Sequence, residues 1–227
     1  MVMVLWGGVL TAWSADAPVP LADAGALFTI DPGVEGRVRD FLHRAGIGYP
    51  LDNAFALLVF KAEQRLELWV HTDTVPRLVK RYPLTAMSGQ AGPKQQRGDR
   101  QIPEGIYQVI WLHPSSSYHL ALKLDYPNLF DQQRAAEEGR TDLGGDIFVH
   151  GGKSSVGCVA VGDAAIEELF VLALTAAGGP AEVIIAPYDF RVLREQSPLP
   201  AAPAWLPVLY QQIEERLARY RIPVAEP

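Results

Sequence analysis

The chain has 227 residues, 48% of them hydrophobic, and a formal net charge of −6. That length suits one large domain with appendages or two small ones, and the apolar share is enough for a core. The acidic balance, with no long single-sign run, argues against a general nucleic-acid binder or an anionic-membrane binder, since both need a cationic face.

Residues Met1 to Ala15 carry no charge and are mostly apolar. The stretch is too short for a comfortable membrane span. It resembles the core of a secretory signal, and Ala15-Asp16-Ala17 spaces small residues for cleavage. No Lys or Arg precedes it, so a cleaved leader and an uncleaved anchor both stay open. Either way the expectation is export to the periplasm, with membrane contact only through this segment if it is uncleaved.

Asp16 to Asp23 reads as a linker. Val38, Phe41 and Leu42 at helical spacing, closed by Gly46, predict a helix over Glu35 to Ala45. Ala54 to Phe60 and Arg65 to His71 form a hairpin signal across Lys61-Ala-Glu-Gln, and Arg77 to Thr85 supplies another strand. Ser88 to Gly105, rich in Gly, Pro and polar residues, is a long surface loop of the kind that is usually functional or disordered.

Ile106 to Leu112 and Tyr118 to Leu124 are the next strands. In the second, Tyr118, Leu120, Leu122 and Leu124 share one face by alternation. A short helix is expected near Gln132 to Glu138, then a buried strand from Asp146 to His150. Asp163 is placed to cap a helix beginning at Ala164, and Gly178-Gly-Pro to end it. Glu182 to Ala186 is a final strand. Ser197 to Pro207 holds four prolines and reads as a stiff linker before an amphipathic helix carrying Leu209, Ile213, Leu217 and Tyr220. Packing of that helix on its own domain is the leading expectation.

The expected fold class is α+β, a largely antiparallel sheet system with few helices. The division is residues 1–17 as the signal-like segment, 18–51 as linker and short helix, 52–190 as the main domain, and 191–227 as proline-rich linker and terminal helix.

Function rests on the only cysteine, Cys158. In an exported chain a lone thiol is either a buried filler or a deliberately free sulfur. His150 ends a strand, and the seven-residue loop from Gly151 to Gly157 can return Cys158 beside it. Three glycines and two serines permit the tight or positive-φ geometry of that return. An imidazole can take the thiol proton and can depress its pKa as an ion pair. The N–H groups near Gly157 and Cys158 are candidate oxyanion donors. A small inert hydrophobe is the competing reading of an isolated cysteine.

Ile147-Phe-Val-His150-Gly151 followed by Ser155-Val-Gly157-Cys158 resembles the catalytic motif of the L,D-transpeptidase (YkuD) family, His-Gly then Ser/Thr-x-Gly-Cys. Gly92-Pro-Lys, Gly98-Asp99 and Ile102-Pro-Glu-Gly-Ile-Tyr107 resemble the same family's upstream stretch. Tyr118-His-Leu with Tyr126-Pro-Asn128 resembles its YafK-like branch. The resemblance covers about residues 54 to 187. It implies a YkuD-like β-sandwich domain in the cell envelope, with Cys158 as nucleophile, His150 as base, and the Gly151 carbonyl orienting the imidazole. It implies peptidoglycan stem peptides as substrate, attacked at the L-to-D amide beside the diamino acid, and a thioester on the cysteine. An amine acceptor gives transpeptidation. Water gives L,D-amidase or hydrolase activity, releasing stem-peptide or lipoprotein linkages, so an envelope lipoprotein joins the partner list. A non-catalytic peptidoglycan-binding module is the alternative from another class. Many members carry Arg or Asn two residues past the cysteine, where this chain has Ala160. That departure leaves substrate anchoring open.

Ser155, Gly157 and Tyr118 are the remaining substrate-side candidates, Tyr118 also reading as core on its apolar face. His43, His71, His113 and His119 are scattered without paired carboxylates, so no metal site and no cofactor is expected. Glu104 and Asp99 read as a cleft acid pair or as turn stabilisers, the latter favoured because each abuts a glycine. Lys94, Arg97 and Arg100 give the long loop local positive charge.

Overall fold

The computed structural model describes residues 2–6, 9–13, 19–20, 31–192 and 202–221. The cleavage-like Ala15-Asp16-Ala17 and most of the two expected linkers lie outside the described residues. Strands β1 (Val2–Trp6) and β2 (Val9–Trp13) pair as an antiparallel ribbon. No helix among the described residues is long and apolar enough to cross a membrane.

The order that follows is β3 (Val19–Pro20), α1 (Pro32–Arg44), β4 (Phe55–Phe60), β5 (Arg65–Val70), β6 (Arg77–Pro83), β7 (Gly105–Ser116), β8 (His119–Leu124), α2 (Leu129–Glu137), β9 (Phe148–His150), β10 (Val159–Ala160), α3 (Asp163–Thr175), β11 (Glu182–Ala186) and α4 (Leu206–Leu217). Nine strands form one sheet in the order β10-β9-β8-β7-β11-β4-β5-β6, with β3 also on β7. The fold is α+β, as expected. Two pairings, β9 with β10 and β4 with β11, are parallel. The sheet curls until the chain leaving β6 meets the opposite edge, where Ala86 bridges Ala160.

Period-two alternation sorts the strands into an inner and an outer face. On β4, Phe55, Leu57 and Val59 enter the main core, while Ala56, Leu58 and Phe60 face a second cluster. Helices α1 and α3 fill the inner side with Val38, Phe41, Leu42, Ile166 and Leu169. Helix α4 covers the outer side of β4, β5 and β11 with Leu209, Ile213 and Leu217, all buried. The terminal helix therefore packs on its own domain. Each such side chain withdrawn from water contributes about 1.5–3 kcal/mol before entropy is counted.

Strand β7 belongs to both halves of the sheet. Its first half pairs with β11 and its second with β8, and a bulge lies between Val109 and Trp111. Tyr107 and Val109 point inward, yet so does Leu112. The extra residue inverts the alternation and turns Trp111 and His113 to the outer face.

Two sequence expectations change in detail. Gly162, not Asp163, is the N-cap of α3, and the cap makes no side-chain bond. The Asp163 carboxylate accepts from the Gly152 N–H at 2.7 Å instead, so it serves the loop and not the helix. The long loop is also less superficial than its composition implies. Gly92, Pro93, Lys94 and Ile102 to Glu104 are buried.

Candidate active site

The long loop is held from beneath. Lys61, at the end of β4, donates to the carbonyls of Gly92 and Ile102 and to the Glu104 carboxylate at 2.8 Å. Glu104 is 1% exposed, and Tyr210 of α4 donates to its other oxygen at 2.7 Å. Glu104 is thus the anchor of the loop, neither a cleft acid nor a turn cap. Asp99 is the turn stabiliser: its carboxylate accepts from the N–H groups of Gln95, Gln96 and Gln101 and from Lys94. Burial opposes its ionisation, but these donors hold its pKa below the ordinary carboxylate value. Arg97 pairs with Asp142, an exposed contact.

So fixed, the loop presents Ser88 and Gln101 to the cysteine segment. Ser88 Oγ accepts from the Gly157 N–H at 2.7 Å and donates to Arg100 O. Ser155 Oγ donates to Cys158 O at 2.7 Å. Gly157 has φ +100°, and a Cβ there would stand 3.1 Å from Gln101 O, so conformation and close approach both select glycine. At Gly151 a Cβ would meet Asp163 Oδ1 and Tyr118 O at 2.6 Å each. The Gly157 N–H is therefore engaged by Ser88. Of the two oxyanion donors expected from sequence, only the Cys158 N–H keeps that candidacy. Ser155, through its bond to Cys158 O, fixes the backbone of the cysteine.

Cross-strand register assembles the site on the outer face of β7 to β10. His113 pairs with Ala121, Ala121 with His150, and His150 with Ala160. In the next row Trp111 pairs with Lys123 and Lys123 with Phe148. Val159 lies opposite Val149, so Cys158 comes beside Phe148 at the end of that second row. Phe148 and His150 share a face, as do Cys158 and Ala160. Imidazole and thiol are thus diagonal neighbours on one face. Both line a cleft of about 350 Å³ with His113, Tyr118, Phe148 and Val156.

His150 is 2% exposed. Its Nδ1 stands 2.6 Å from Gly151 O, and a carbonyl only accepts, so the proton is on Nδ1 and Nε2 carries the lone pair. Burial pushes the imidazole pKa below its ordinary value, and the Gly151 contact only partly opposes this. Tyr118 does not sit on an apolar core face. It is 42% exposed at the β7–β8 turn and lies over the imidazole, ring centres 4.6 Å apart. His119 has φ +73° and turns away to Glu167 at 3.1 Å.

Cys158 is half-buried, and Sγ contacts Asp146 O at 3.7 Å. Burial pushes the thiol pKa up. A backbone hydrogen bond at Phe148 opposes that, the Asp146 charge adds to it, and Lys94 opposes it. Both shifts favour the neutral form of the group concerned. Burial thus works against a preformed thiolate–imidazolium pair at these two side chains.

His113 is the cleft residue that sequence reasoning passed over. Its signal was weak, because only the bulge brings it to this face. Among the described residues, no group of three or more His, Cys, Asp or Glu is arranged to hold a metal ion.

The YkuD family, described as L,D-transpeptidase catalytic domain, matches residues 54–185. The chain belongs to this family. It is 34% identical over 137 residues to "Putative L,D-transpeptidase YafK" of Escherichia coli strain K12, covering 59% of this chain and 53% of that protein. The same figures hold for the protein of that name in E. coli O157:H7. The chain spans about half the length of the curated relatives it matches. The crystal structure of the helical cell shape determining protein Pgp2 from Campylobacter jejuni aligns with TM-score 0.50 at 23% identity, covering 66% of this chain and 55% of that one. At that identity the likeness is one of fold.

Proposed function

We propose that this chain is a cell-envelope cysteine acyl-transfer enzyme that acts on peptidoglycan stem peptides through a thioester on Cys158. The observation that carries the reading is the His150 tautomer: Nδ1 is tied to Gly151 O and Nε2 is free to accept, on the strand beside the only thiol. His150 Nε2 takes the Sγ proton as sulfur attacks the scissile carbonyl. The C–N bond breaks, the imidazolium gives its proton to the leaving amine, and a thioester remains. An acceptor amine then attacks that thioester, with His150 again receiving the proton. The C–S bond breaks and the thiol is restored.

Water in place of the amine gives the amidase or hydrolase outcome. Ala160, where many family members carry Arg or Asn, offers no side-chain donor to hold an acceptor, which keeps hydrolysis, including release of a lipoprotein linkage, as the second reading. Mass spectrometry of purified muropeptides and lipoprotein-linked muropeptides, after incubation with wild type and Cys158→Ala, separates the two. New crosslinks that depend on the cysteine support transfer, and shortened or released fragments support hydrolysis. Binding to sacculi with no cysteine-dependent product would support the non-catalytic wall-binding module instead.

A further inference from the structure

The first cross-strand row contains two imidazoles, His113 and His150, with only the methyl of Ala121 between them. Two strand spacings put their backbones roughly 10 Å apart. That is too far for His113 to share the proton transfer at Cys158. It is about the length of three extended residues, or of one long side chain together with the hydrogen bond at its end.

The half-buried His113 ring lines the cleft, and its edge meets Phe148 with ring centres 6.5 Å apart. Its Nδ1 is buried with no hydrogen-bond partner. A buried orphan nitrogen is tolerated better as a lone pair than as an N–H. That leaves the ring proton on Nε2, the opposite tautomer to His150. One end of the trough thus holds an acceptor and the other a donor. In the adjacent row, the Lys123 ammonium lies over the rings of Trp111 and Phe148, at 5.7 and 5.9 Å, and pairs with Asp146 at 2.8 Å. The Asp146 carboxylate is 76% exposed, so water screens its hold on Lys123.

We propose that His113 is a specificity-determining residue, an N–H donor that, with Lys123 in the next row, anchors a carboxylate of the donor peptide about one long side chain from the scissile bond. The bulge in β7 exists in this reading to aim that donor into the cleft. The proposal rests on the acyl-transfer reading and adds to it which part of the substrate the far end of the trough reads.

The test uses two synthetic stem tetrapeptides, one with the side-chain carboxylate of its diamino acid free and one with that group amidated. Binding to Cys158→Ala is measured by calorimetry, and thioester formation on the wild-type enzyme by intact-protein mass spectrometry. The free carboxylate should bind about tenfold or more tightly than the amide, the loss expected for a hydrogen bond to a charged group. His113→Ala in the same background should bind both peptides equally, at the level of the amide. His113→Gln keeps an N–H donor and should recover part of the preference. Lys123→Met, which keeps the packing on Trp111 and Phe148, should reduce it. A merely structural His113 would instead weaken both peptides alike and leave the preference intact. Equal binding of the two peptides, or a preference that survives His113→Ala, overturns the proposal while thioester formation still stands. If neither peptide binds and neither acylates the wild type, the acyl-transfer reading falls and takes this proposal with it.

Discussion

The outer face of one sheet is treated in two opposite ways. Across β7, β11, β4, β5 and β6 a row of Ile106, Ile184, Leu58, Glu67 and Arg81 runs along the half that α4 covers. Its one acid is fully satisfied. Glu67 accepts from Trp69, Arg81 and Arg191, and although burial opposes this, those donors hold its pKa below the ordinary value. Across β7 to β10 the row His113, Ala121, His150 and Ala160 lies in an open cleft, and it presents the half-buried His113 ring and the free Nε2 lone pair of His150. The covered half converts polar groups into stability. The open half leaves the His150 lone pair without a protein partner, and a group of that kind is what a substrate can engage.

The comparison breaks most sharply at the thiol. Cys158→Ala should reduce acyl transfer by about 10⁴-fold or more with little change in melting temperature, measured by muropeptide turnover and calorimetry. His150→Gln should lower kcat by about 10²–10⁴-fold. The wild-type pH profile sharpens the same point. Burial favours the neutral imidazole, so the base remains available at its ordinary value of 6.5, and activity should fall only as pH drops through the lowered His150 pKa. The rate of thiol alkylation should still be rising above the ordinary thiol value of 9.0, because burial raises the Cys158 pKa.

On the covered half the effects should be on stability. Lys61→Met leaves Glu104 buried without its partner and should cost about 3–5 kcal/mol in urea unfolding. Ile213→Ala, at a fully buried position of α4, should cost about 2–5 kcal/mol while the thiol alkylation rate stays unchanged. The smallest effect tests the link between the halves. Ser88→Ala leaves the Gly157 N–H without its acceptor and should slow thioester formation about tenfold, with a stability loss of about 1–3 kcal/mol.

Much of this was legible in the residues. The Phe55–Val70 hairpin, the β11 strand and the stripe on α4 follow from periodicity, because each pairs with or packs on chain nearby or carries a repeating face. The His150–Cys158 pair was legible because a single short loop joins them. What depended on distant chain was not. The anchoring of the loop by Lys61 and Glu104 joins residues 43 apart, and the Ser88 contact to Gly157 joins residues 69 apart. Asp163 carried a helix-cap signal, yet its carboxylate was captured by Gly152. His113 was missed because the expected strand stops at Leu112, whereas β7 runs on to Ser116 and one extra residue in it sets which face His113 takes.

The most direct test is to incubate the protein with a stem tetrapeptide, quench in acid, and weigh the intact chain. A peptidyl adduct, equal in mass to the peptide less its leaving amine, should form on Cys158. That adduct should be absent from Cys158→Ala and strongly reduced in His150→Gln. A wild-type protein that binds the peptide but never gains this mass, or a His150→Gln variant that gains it at the wild-type rate, would contradict the account.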